Sequence, residues 1–164
     1  MIEPYFHDSI LKRAIESNFI SYEFYNPRDF TTNKHKKVDD QMVGGGAGML
    51  LLCQPLFDCL NEIKSKDSDA YIIFPLAAAK QFRQNDAKRL AKKKNIVFVS
   101  GRYEGIDERV IEKYANEVFS IGEFVLTGGE LPSLVMADAI ARNVKDVLGN
   151  ADSLDVESYE NNLL

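Results

Sequence analysis

Ala70-Tyr71-Ile72-Ile73-Phe74-Pro75 and Asn95-Ile96-Val97-Phe98-Val99-Ser100-Gly101 are two short, continuous apolar runs, one closed by proline and the other by Ser-Gly. Neither alternates between apolar and polar residues, the pattern of strands covered on both faces, as in a parallel sheet. Phe82 to Lys94 between them reads as a helix, so strand, helix and strand follow as one crossover unit. A third strand is predicted over Glu117–Ile121 and helices over Asp107–Tyr114 and Leu131–Arg142, the last with Leu134, Val135, Ala137, Ala139 and Ile140 as its apolar positions. The fold class expected is α/β with a mostly parallel sheet.

Upstream, Ile10, Leu11, Ala14 and Ile15 are spaced for one face of a helix over Asp8–Ser17, with Asp8 or Ser9 as its cap. Ile20–Tyr25 then reads as a short strand stopped by Asn26-Pro27. Arg28–Asp40 is polar without periodicity and reads as a loop. The run Gly44-Gly45-Gly46-Ala47-Gly48 continues it into an apolar helix that starts between Leu50 and Pro55 and ends near Lys64.

With 164 residues and 45% hydrophobic composition, the chain is expected to bury its core as one domain. It shows no apolar run of bilayer length and no basic-then-apolar leader, so no membrane association and a cytoplasmic location are expected. Cys53 and Cys59 lie in one apolar helical segment without histidines, which suggests buried thiols rather than a disulfide or a metal site. A net charge of −5 argues against indiscriminate nucleic-acid binding and leaves room for a selective RNA partner. Basic residues gather at Arg28, Lys34, Lys36 and Lys37 and again at Lys80, Arg83, Lys88, Arg89, Lys92, Lys93 and Lys94; the second group reads most simply as a solvated helix face.

Gly101, Gly105, Gly122, Gly128 and Gly129 all fall at or just beyond predicted strand ends, where open α/β sheets bind ligands. Neither the phosphate-loop pattern nor the Gly-x-Gly-x-x-Gly fingerprint is present, so ATP hydrolysis and NAD chemistry lack support. The polar groups beside these turns are Arg102, Tyr103, Glu104, Asp107, Glu108, Arg109, Glu130 and Arg142, with further acids after Gly149. A carboxylate next to an arginine is suited to taking a proton while the guanidinium steadies charge on a substrate, and equally to forming a structural ion pair. His7 and His35 stand near no glycine-bounded nucleophile, so no Ser-His-Asp or Cys-His set is credible.

Val38-Asp39-Asp40 with Gly44-Gly45-Gly46 and Gly48-Met49, then Gly101-Arg102-Tyr103-Glu104-Gly105-Ile106-Asp107, then Ser120-Ile121-Gly122 and Leu126-Thr127-Gly128-Gly129-Glu130-Leu131-Pro132, resemble the bacterial tRNA (guanine-37-N1)-methyltransferase (TrmD) family. Val147-Leu148-Gly149 and Leu163-Leu164 extend the likeness over nearly the whole chain. Met42-Val43 stand where the family usually has Pro-Tyr, and Ala47 where it usually has proline.

The resemblance implies a SPOUT-class fold with a C-terminal deep trefoil knot, S-adenosylmethionine as methyl donor, tRNA as substrate, and a homodimer with a composite active site. It implies donor contacts at Phe74, Pro75, Gly101, Tyr103, Gly105, Ile121, Gly122, Glu123, Phe124, Val125 and Leu126, with Gly128 and Gly129 shaping the knot loop. It further implies Glu157 as catalytic base with Asp155 as the fallback, Arg142 stabilising charge on the guanine O6, and Glu104 orienting the base. Residues 1–148 are then the donor-binding catalytic domain, short of the family's first strand, and 149–164 an interdomain linker, with the C-terminal tRNA-binding domain absent. Two other readings stand beside this one: a non-catalytic module that binds donor or dimerises, and a SPOUT methyltransferase for another RNA site.

Overall fold

The computed structural model describes residues 1–41 and 48–149. The chain divides into two units, one built from Met1–Glu23, Phe82–Lys94 and the chain from Leu134 onward, the other from Phe24–Gln81 and Asn95–Ser133.

In the first unit, helix α1 (Ser9–Glu16) starts at the expected cap: the Asp8 carboxylate accepts from the Ser9 N–H, and Leu11 and Ala14 are buried. A 3-10 turn over Glu3–His7 precedes it. Tyr5 donates to Asp138 at 3.3 Å, and the negative charge of that carboxylate pushes the phenol up from its ordinary value. Helix α3 (Gln84–Leu90) turns Asp86, Ala87 and Leu90 inward. Asp86 closes the helix start by accepting from the Arg83 N–H at 3.2 Å.

The second unit holds the sheet. Strands β3 (Tyr71–Pro75), β4 (Ile96–Phe98) and β5 (Glu117–Phe119) are all parallel in the order β4-β3-β5, as the continuous apolar runs predict. Ile72 and Phe74 point to one face, where they meet Leu56, Leu60 and Ile63 of α2 (Cys53–Lys66) and Val110 and Ile111 of α4 (Glu108–Tyr114). Ile73 faces the other way and is just as fully buried, which is why this strand carries no polar residue at its centre. Burial on this scale contributes roughly 2–3 kcal/mol for a side chain such as Phe74. Helix α5 (Glu130–Ala141) follows the last glycine turn, with Ser133, Met136 and Ile140 buried.

Cys53 is half-buried and Cys59 buried, both free; loss of water contact raises both thiols, Cys59 to about 11.

Two expectations are corrected. Ile20–Tyr25 is no strand: among the described residues it joins no ladder, and Tyr22 instead stacks on Phe6. The segment expected as a loop up to Asp40 instead contains a 3-10 turn, Pro27–Phe30, and ends in β1 (Asp39–Gln41), which pairs antiparallel with β2 (Met49–Leu51).

Candidate functional site

A cavity of about 200 Å³ opens at the carboxyl ends of the three parallel strands, the position at which open α/β sheets bind ligands. Three short stretches make most of its wall: Pro75-Leu76-Ala77 after β3, Gly101 to Ile106 after β4, and Phe119 to Leu126, except Glu123, after β5. Gly128, Gly129 and Pro132 complete it.

The wall is held together by main chain. Gly129 donates its N–H to the Gly101 carbonyl at 2.7 Å, and Arg102 pairs with Gly128 in an isolated antiparallel bridge. A Cβ on Gly129 would stand 2.7 Å from the Gly101 nitrogen and 2.9 Å from the Ser100 Cα, so only glycine lets the two turns meet. Ser133, on the first turn of α5, secures the junction from below: its hydroxyl donates to the Gly129 carbonyl at 2.7 Å and lies 2.9 Å from Ser100 Oγ. On the rim, Arg102 Nε donates to a Glu130 carboxylate oxygen.

The 101–106 turn is fastened to the hairpin as well. Glu104 N–H donates to the Met49 carbonyl at 3.0 Å and Leu51 N–H to the Gly105 carbonyl at 3.1 Å. Between them Tyr103 takes φ +61° and Gly105 φ +129°; a non-glycine residue with positive φ is uncommon and needs surroundings that hold it. The turn leaves Tyr103 half exposed over the cavity. After β5, Ser120 Oγ donates to the Gly122 carbonyl at 2.8 Å, beyond which Phe124, Val125 and Leu126 are exposed. A cradle of peptide groups with aromatic and aliphatic surface beside it fits a flat heteroaromatic ring with a polar tail.

Of the expected donor contacts, Pro75, Gly101, Tyr103, Gly105, Ile121, Gly122, Phe124, Val125, Leu126, Gly128 and Gly129 line this cavity. Phe74 does not; its ring is wholly buried in the core beneath. Glu123 lines a neighbouring cavity that shares Ala77, Ser120 and Gly122 with the first. Glu104 is on the cavity wall. Arg142 follows the last residue of α5, its N–H donating to the Asp138 carbonyl at 3.1 Å. Glu157 and Asp155 lie outside the described residues.

One of the acid–arginine pairs that the sequence offers is Asp107 with Arg109. Asp107 caps α4 by accepting from the Arg109 N–H at 3.0 Å and takes two further hydrogen bonds from that guanidinium at 2.9 and 2.6 Å. Those bonds hold its carboxyl below the usual carboxylate range and raise Arg109, and they commit both groups to the start of α4. Sequence reading passed over Leu76, Ala77, Ile106 and Ser133. The first two directly follow a strand end, a signal that was available; Ser133 gives none, since its role depends on two turns meeting in space.

Among the described residues, no group of three or more His, Cys, Asp and Glu side chains stands where it could hold a metal ion, and no helix is long and apolar enough to cross a membrane.

Residues 1–164 match the model of the family described as tRNA (Guanine-1)-methyltransferase TrmD. The chain belongs to that family. It is similar to the tRNA (guanine-N(1)-)-methyltransferase of Sulfurimonas denitrificans, with 65% identity over all of this chain and 71% of that protein. The Campylobacter jejuni enzyme of the same name (strain 81116) is 60% identical over all of this chain and 70% of its own length. Among solved structures, the tRNA (m1G37) methyltransferase of Aquifex aeolicus superposes with a TM-score of 0.82 at 30% identity, covering 91% of this chain and 67% of its own. Membership of the TrmD family implies a methyl donor.

Proposed function

We propose that this chain carries the catalytic portion of an enzyme that methylates N1 of guanine 37 in tRNA, with S-adenosylmethionine as donor. The observation that carries this reading is the junction of the two glycine turns at the strand ends: it offers peptide N–H and C=O groups and apolar surface, and no phosphate loop. The C-terminal part of the domain would form the deep trefoil knot of a SPOUT fold, with Gly128 and Gly129 shaping its loop. Residues 1–148 would serve as the donor-binding domain, leading into a linker from Gly149, and two copies would share each active site.

In this reading Gly101, Tyr103, Gly105 and the turn from Ile121 to Leu126 hold the donor, with Gly128 and Gly129 keeping the turns in register. The bound donor supplies an electrophilic methyl group on a sulfonium. Guanine N1 carries a proton and is a poor nucleophile until that proton leaves, so a carboxylate must accept it as the N1–methyl bond forms and the sulfur–methyl bond breaks. Glu157, with Asp155 as the fallback, is assigned that proton. Negative charge moves to O6 as N1 is deprotonated, and the Arg142 guanidinium answers it. Glu104, on the exposed side of the 101–106 turn, orients the base.

The test is methyl transfer from labelled donor to two tRNA transcripts, one with guanine at position 37 and one with adenine there. Label on N1 of guanine in the first only is the expected result. Equal labelling of both would favour another RNA site, and donor binding without transfer to either would favour the non-catalytic module.

A further inference from the structure

The two basic stretches of the sequence differ in the acids interleaved with their cations. Around Arg28 to Lys37, acids are interleaved: Lys36 Nζ is 3.1 Å from Asp29, Lys37 Nζ is 3.2 Å from Asp40, and the Arg28 guanidinium donates to the Lys36 carbonyl. Residues 82–94 carry Arg83, Lys88, Arg89, Lys92, Lys93 and Lys94 against one acid, Asp86, a net +5 in a chain whose total is −5, so the remainder carries −10. Asp86 is itself 7% exposed and committed to the Arg83 N–H and to Arg89, each at 3.2 Å.

Helix electrostatics account for only part of this. A cation or two in the last turn suits the negative end of a helix, and the effect fades within one turn. Lys88 and Arg89 already supply that for α3. Lys92, Lys93 and Lys94 come after it and are all exposed. Concentrating positive charge on one short segment of an acidic chain costs self-repulsion that a solvated face alone does not require.

We propose that α3 and the turn after it, through Lys94, form a contact for the sugar-phosphate backbone of the RNA substrate, made by side chains that do not line the donor cavity. This rests on the RNA-methyltransferase reading above. Lysine ammoniums on flexible stems act as point charges toward phosphate rather than reading base edges, so the contact positions RNA without selecting sequence. It also offsets the repulsion that the net acidic chain presents to a polyanion.

The experiment compares the wild-type chain with Lys92→Gln/Lys94→Gln and with Lys92→Glu/Lys94→Glu. Binding of fluorescently labelled tRNA transcript is followed by anisotropy from 50 to about 300 mM salt, and donor affinity by calorimetry. The expected result is weaker tRNA binding in the order wild type, Gln, Glu. The log–log salt slope should be shallower by about one and a half to two for the Gln variant, as two phosphate contacts are lost. Donor affinity should stay unchanged and, with a guanine-37 transcript, KM for tRNA should rise while kcat holds. Unaltered affinity and slope in both variants, or a wild-type chain that binds no tRNA, would overturn the proposal. If the Glu variant fails to fold, the Gln variant decides alone. Failure of the methyltransferase reading looks different: no transfer by any of the three proteins, with the difference in salt slope still present.

Discussion

The turn after β4 and the turn after β5 line the same cavity and are built on opposite terms. Gly101 to Ile106 is stitched on both sides, to Met49 and Leu51 of the hairpin and to Gly129, and its one strained residue, Tyr103, is held at φ +61° by those bonds. Ile121 to Leu126 is anchored at its start by Ser120 and then presents Phe124 at 54% and Val125 at 86% exposure. The first turn is already held in one shape by these bonds, so a ligand bound there would cost it little ordering entropy. The second has apolar area to bury, so its gain comes when something covers it.

The largest effect should come from breaking the stitched turn. Gly129→Ala introduces a methyl against the backbone of Gly101 and Ser100, at distances of 2.7 and 2.9 Å that neither side can relieve by rotating a side chain. Overpacking of this kind costs about 1–3 kcal/mol; felt at the junction itself, that is roughly a ten- to hundredfold loss of donor affinity, measured by calorimetry. Unaltered affinity would mean that the two turns are not rigid partners.

A smaller effect sharpens the other side of the comparison. Phe124→Ala removes a ring that is more than half exposed in the free chain. Thermal unfolding without donor should therefore hardly move, while donor affinity falls roughly five- to thirtyfold, as about 1–2 kcal/mol of buried ring area is lost. A drop in melting temperature with no change in affinity would show the ring to be structural.

The smallest concerns the pair just beyond the stitched turn. The Arg109 guanidinium keeps the Asp107 carboxyl below its ordinary value, so the stabilisation is complete above the unfolded value near pH 4 and disappears as pH falls through the lower native value. Asp107→Asn keeps the helix cap and loses the ion pair. Because Arg109 is largely exposed, solvent screening should keep the cost at pH 7 small. The gap between variant and wild type should close as acid denaturation titrates the carboxylate. A gap independent of pH would mean that the cap, rather than the charge, had been disturbed.

How much of the fold and of the site is legible in the sequence follows from how local each signal is. Ile72, Ile73 and Phe74 announce a strand buried on both faces because the pattern is written within five residues, and Asp8 announces a cap for the same reason. The pairing of Asp39–Gln41 with Met49–Leu51 was not legible: each strand is three residues long, one is polar, and only their meeting defines them. Ile20–Tyr25 misled in the reverse sense, since an extended apolar run becomes a strand only if an edge is there to receive it. At the site, glycines after strand ends could be read singly. The contacts between Gly129 and Gly101, and between Arg102 and Glu130 across 28 residues, are products of tertiary approach.

The sheet order has a consequence for synthesis. β3 is the central strand, yet it is the first of the three to leave the ribosome, and both of its ladder partners are encoded downstream. About 45 residues separate it from β5, so at translation rates of roughly 5–20 residues per second the Ile72-Ile73-Phe74 run waits about 2–9 s with at least one edge open. A flat apolar segment with open edges is the kind that recruits other chains. The yield of folded protein from a cell should therefore depend on elongation speed and holding chaperones over that interval, and far less on the stability of the finished sheet.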